Sequence, residues 1–135
     1  MEIKNWKNSS PHISHGNGVE YTIFVRKNTD AAAYYGGQKT PRWGAACMEN
    51  LAFLECGWIQ PGGKLEEHVN EYYEEIYFII KGTGIMLFEK KEYKISEGDT
   101  IYLPKTSSHG IINNSQDFIN YLVFGAGEKH PDYFI

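Results

Sequence analysis

Short runs that alternate apolar and polar residues, each closed by a turn signal, restrict this chain to a folded β structure. Residues 19–26 (VEYTIFVR) alternate at period two, and residues 51–60 form another run that ends at Pro61-Gly62-Gly63. Shorter runs follow at 66–70, 75–80, 85–89, 93–95, 100–103, 110–112 and 118–124. Between them lie Gly82-Thr83-Gly84, Ser96-Glu97-Gly98-Asp99 and Asn113-Asn114-Ser115. Helical periodicity is nearly absent. Short, evenly spaced strands with such punctuation predict an all-β sandwich or barrel.

A chain of 135 residues is expected to form a single domain, 1–135, with residues 1–18 as an N-terminal arm. An aromatic share of 15%, ten of those residues Tyr, favours strands and an aromatic-lined interior. A net charge of −4 without a dense Lys/Arg cluster argues against a nucleic-acid partner. Cys47 and Cys56 lack CxxC spacing and read as reduced, packed thiols. The start MEIKNWKNSSPH has no apolar signal-peptide core, and no run reaches the length of a membrane span, so a soluble cytoplasmic protein is expected. Residues 27–50 read as a long loop with one hint of a helical turn at 31–33, of the kind that serves as a lid or packs on a partner subunit. Residues 128–135 read as a tail. His12 and His15 read as part of an exposed or subunit-packed arm, and with His130 they are not taken as ligands.

The candidate ligands are His68, Asn70, Glu75 and His109. His68 and Asn70 stand two apart in a strand, so their side chains are expected on one face with Cα atoms roughly 6.6 Å apart. Glu75 follows a turn at Glu71-Tyr72-Tyr73 that returns it on the adjacent antiparallel strand. His109 follows the polar loop Pro104-Lys105-Thr106-Ser107-Ser108, which would aim it at that pair. Donors lie about 2 Å from a bound ion, so neighbouring strands are a natural way to gather them.

These residues fall into two motifs. Gly62, His68, Asn70, Glu75 and Gly82 keep the spacing of the first motif of the cupin family; Gly98, Pro104, His109 and Asn113 resemble the second. The resemblance covers residues 51–125. It implies a double-stranded β-helix, or jelly-roll, barrel, commonly a homodimer, with a divalent metal held by three histidines and a glutamate. Two positions depart from the pattern: Thr106 stands for a usual glycine, and Asn70 for the second histidine. His68, Glu75 and His109 still supply two imidazoles and a carboxylate, a set that leaves coordination positions open, with the Asn70 carbonyl as a weak fourth donor. Oxygen in place of nitrogen shifts the expected metal toward Mn(II) or Fe(II), with Zn(II) and Ni(II) also candidates.

Glu66, two residues before His68, is expected on the same face as a general base or an orienter of His68. Tyr77 and Ile79 share Glu75's face and line the cavity, where the Tyr77 phenol would meet a substrate. The resulting expectation is a metal-dependent isomerase, lyase or dioxygenase acting on a small polar metabolite. Glu66 or Tyr77 would move protons. Two readings stand beside it: a non-catalytic cupin that binds a sugar or organic acid, and a metal-free isomerase or epimerase of nucleotide-sugar type.

Overall fold

The computed structural model describes residues 1–27, 32–35, 38–41 and 45–127. After a short 3-10 turn at Trp6–Asn8, the strands are β1 (Pro11–Ser14), β2 (Gly18–Arg26), β3 (Ala32–Tyr35), β4 (Gln38–Pro41), β5 (Ala45–Met48), β6 (Leu51–Ile59) and β7 (Lys64–Val69). They continue as β8 (Tyr73–Lys81), β9 (Thr83–Phe88), β10 (Lys91–Ser96), β11 (Thr100–Leu103), β12 (Ser108–Ile112) and β13 (Ile119–Gly127). The larger sheet runs β1-β2-β6-β13-β8-β11, with β5 parallel to β2 at its side; the smaller runs β10-β9-β12-β7. Successive strands alternate between the two sheets from β6 to β9 and again from β10 to β13, and the chain is an all-β jelly-roll barrel. No helix among the described residues is long and apolar enough to cross a membrane.

Strand β8 shows how alternation builds the interior. Tyr73, Glu75, Tyr77 and Ile79 turn inward and are buried, while Ile76, Phe78 and Ile80 turn outward and are exposed. Ile59, Leu65, Ile111 and Ile119 complete the core from β6, β7, β12 and β13. Full burial of such side chains contributes about 1.5–3 kcal/mol each. Gly57 lacks a side chain for a definite reason: a Cβ there would lie 2.0 Å from Cζ of Tyr121, whose ring crosses it to reach Tyr77, 5.1 Å away between centroids.

The second motif's asparagine is a structural clamp. Fully buried Asn113 donates from Nδ2 to the carbonyls of Ile59 (2.9 Å), Gln60 (3.1 Å) and Asp117 (2.8 Å). Its Oδ1 accepts from Ser115 N and Oγ. The loop after β6 and the turn before β13 are therefore fixed together.

Three expectations change. The stretch 27–50 contains β3 and β4, which pair as a hairpin, and β5, which joins the large sheet; Ala32 and Ala33 are extended, not helical. Residues 28–31, 36–37 and 42–44, like the tail 128–135 with His130, lie outside the described residues. The N-terminal arm is not a loose appendage, because β1 pairs with β2 through a hairpin at His15-Gly16-Asn17 and buries His12. His109, expected after the loop 104–108 and just ahead of a strand at 110–112, is already in the strand, as the second residue of β12.

Candidate metal centre

His68, Glu75 and His109 converge between the two sheets, each offering one donor atom, with all three donors within 4.8 Å of one another. Glu75 comes from β8 of the large sheet; His68 and His109 stand opposite each other on β7 and β12 of the small one. A β-bulge makes that possible. His109 pairs with His68 but Ile111 pairs with Leu65, so Gly110 alone faces both Glu66 and Glu67. The extra residue resets the parity of β7, turning both Leu65 and His68 inward although they are three apart. Gly110 is required there: a Cβ would meet the Leu65 carbonyl oxygen at 2.7 Å and the Glu67 nitrogen at 2.9 Å.

Each histidine is oriented through its other nitrogen. His68 Nδ1 lies 2.7 Å from the Glu66 carbonyl oxygen, and His109 Nδ1 lies 3.2 Å from that of Ser107. With Nδ1–H donating to the backbone, Nε2 of each ring carries its lone pair toward the cluster. His109 Nε2 is 3.2 Å from Glu75 Oε1; both atoms are buried, and neither has a hydrogen-bond partner among the described residues. Two donors about 2.1 Å from a shared ion stand roughly 3–3.5 Å apart. The orphaned pair therefore has the spacing of two ligands of one cation. Burial, opposed by the Glu66 carbonyl and strengthened by neighbouring His109, holds the His68 imidazole below its ordinary pKa, which favours the neutral form that binds metal.

The site also contains a residue that the sequence reading left outside it. His15, at the tip of the β1–β2 hairpin, stacks on His68 with ring centroids 3.5 Å apart and planes within 4°. The hairpin tip is pinned to β7: Glu66 N donates to the His15 carbonyl, and Lys64 N donates to Asn17 Oδ1. Burial, then the neighbouring His68 and His109, hold the His15 imidazole down to about 3. An imidazole coordinates in its own plane, so two parallel, stacked rings do not share an ion in this arrangement; His15 braces the face of the His68 ring. The signal was present as Gly16-Asn17-Gly18, a hairpin turn that folds the arm back on β2.

The other expected site residues sit differently. Asn70 lies just beyond β7, and its Oδ1 accepts from the amides of Tyr72 (3.3 Å) and Tyr73 (3.2 Å). The side-chain oxygen expected as a fourth donor is thus engaged in the turn leading to β8. Glu66 does not share His68's face, because the bulge falls between them; its carboxylate is on the exposed side, and only its backbone serves the site. Tyr77 is buried beside Glu75's strand position, against Tyr121, as alternation predicted. An apolar cavity of about 200 Å³ opens at the seam between the sheets, lined by Met86, Phe88, Tyr93, Ile95, Ile101 and Leu103 among others. Of its lining, Phe88 and Leu103 stand opposite His109 and Glu75 in the strand register, while none of the three converging residues lines it.

A family model described as Cupin_2, the cupin domain, matches residues 58–125, which include all three converging ligands. The chain belongs to the cupin family. An uncharacterised protein, MJ1618, of Methanocaldococcus jannaschii is 38% identical over 55 residues, a match that takes in 41% of this chain and 44% of that protein. The chain thus spans less than half the length of this relative. Among solved structures, a predicted oxalate decarboxylase from Thermotoga maritima superposes with a TM-score of 0.66 at 18% identity, over 94% of this chain and 100% of that one. The polyketide cyclase RemF from Streptomyces resistomycificus superposes at 0.67 and 14% identity, over 97% and 82%. At these identities the likeness is one of fold.

Proposed function

We propose that this cupin is a divalent-metal enzyme whose ion is held by His68, Glu75 and His109, without Asn70, and whose substrate is a small molecule bound in the barrel. The observation that carries this reading is the buried, otherwise unpartnered pair Glu75 Oε1 and His109 Nε2, backed by His68 with its own Nε2 free of the backbone. A buried polar group without a partner is costly, and a shared cation removes that cost. Two imidazoles and one carboxylate suit Mn(II), Fe(II), Zn(II) or Ni(II). With one charged ligand, such an ion would supply a net charge of about +1 and Lewis acidity toward an anionic or enolisable oxygen.

The chain's own residues do the remainder. His15 and the Glu66 carbonyl fix the His68 ring, and the Ser107 carbonyl fixes His109. Ile79, Leu103 and Ile111 exclude water from the interior. Tyr77 is the protein hydroxyl we assign to proton movement in an isomerase, lyase or dioxygenase reaction. The apolar walls of the cavity at the seam favour a substrate that carries an apolar portion. Glu66 is left out of this assignment because its carboxylate is exposed.

Metal counting tests the reading. Untagged protein, stripped with a chelator and reloaded with Mn(II), is compared with two variants by elemental analysis. His109→Ala is expected to lose one equivalent and Asn70→Ala none. Retention of the full wild-type metal by His109→Ala removes the proposed centre.

A further inference from the structure

A second group of buried donors lies on the inner face of the large sheet, away from the cupin motifs. His12 on β1, Glu20 on β2 and Glu55 on β6 each offer an atom within 4.8 Å of the others. His12 stands opposite Glu20 in the β1–β2 register, and Thr22 stands opposite Glu55 in the β2–β6 register. Residues two apart on β2 share a face, so Glu20 and Thr22 present both carboxylates and the imidazole to one place. His12 Nε2 is 3.3 Å from Glu55 Oε2, close to the 3.2 Å between His109 and Glu75 in the first centre. Glu55 is fully buried and Glu20 is 3% exposed.

Two carboxylates in a dry interior are expensive unless a cation joins them. A separate observation points to a ligand. The hydroxyl of Thr22, 1% exposed and beside Glu55, has no hydrogen-bond partner among the described residues. A cation, or a water bound to it, would give that hydroxyl a partner.

We propose that His12, Glu20 and Glu55 form a second divalent-cation site, sharing the barrel with the first. Two carboxylates and one imidazole neutralise a divalent ion, which suits a buried position, and their oxygen-rich set favours Mn(II) or Zn(II). Both groups lie within one barrel interior, and His15, three residues after His12, stacks on His68 of the first centre.

The test is a metal count on four untagged proteins, stripped and reloaded in turn with Mn(II) and Zn(II): wild type, Glu55→Gln, Glu20→Gln and His109→Ala. Wild type is expected to hold two equivalents and each single variant one, with Glu20→Gln included should Glu55→Gln fail to fold. One equivalent in wild type, unchanged in both carboxylate variants, overturns the proposal and leaves the pair as two acids sharing a proton. Wild-type metal in His109→Ala with a loss in Glu55→Gln supports this second site while removing the first, so the two readings fail separately.

Discussion

Thr106 carries a β-branched side chain at φ +69, the left-handed region where branched residues crowd their own backbone. The family pattern places glycine at this position, and the backbone has kept the glycine conformation. Its amide donates to the Asn70 carbonyl at 2.8 Å, so the turn holds the end of β7 against the approach to β12. Thr106→Gly should therefore relieve strain without moving the site, raising stability by about 1 kcal/mol, read by urea unfolding at unchanged metal content. A loss of stability would mean that the threonine hydroxyl, which donates to the Lys105 carbonyl at 2.5 Å, outweighs the strain. Single residues were unevenly legible in the sequence. His68, Glu75 and His109 came from spacing and type. Asn70 kept its place in the motif but not its expected contact, because a side-chain amide near a turn finds backbone amides first. Glu20 and Glu55 were not singled out from the sequence; nothing in their neighbours reveals that they face inward.

At the level of elements, the strands after residue 51 were readable because alternation and glycine punctuation agree. Thr100–Leu103 is reproduced to the residue, and Leu51–Ile59 ends one residue before the expected stop. What alternation cannot supply is parity across a bulge. Glu66 and His68 read as one face, and the single extra residue opposite Gly110 separates them. The strands in 32–48 were missed for a related reason: Ala32–Tyr35 and Gln38–Pro41 are too short and too mixed to show a period. The bulge itself can be tested. In Gly110→Ala the new methyl presses on the Leu65 carbonyl and the Glu67 amide, both backbone and unable to give way cheaply. The expected cost is about 2 kcal/mol or more in urea unfolding. Because the strain falls between His68 and His109, Mn(II) retention should weaken as well. A variant as stable as wild type, with unchanged metal, would mean the bulge does not set the site.

Across the whole molecule, the outer face of the large sheet carries a row of exposed apolar side chains. Ile76, Phe78 and Ile80 are 42%, 39% and 37% exposed on β8, and Tyr102 on β11 stands opposite Ile76 at 57%. Leu122 and Phe124 of β13 lie opposite Phe78 and Ile76, extending the same surface. At the far end, Trp6 of the N-terminal arm packs on Tyr21 and Trp58, with ring centroids 4.9 and 5.9 Å away, so part of the sheet is covered from within the chain. The β8–β11 end has no such cover among the described residues. Contiguous exposed apolar surface of this kind marks interaction sites, and a face-to-face pairing of two copies would bury it. We expect a homodimer in sedimentation velocity at micromolar concentration. Phe78→Glu places a charge at the centre of that surface, on the strand face opposite Glu75, and should yield monomers that keep wild-type metal content. A wild-type protein that sediments as a monomer removes this interface, and a dimer that survives Phe78→Glu moves it to another face.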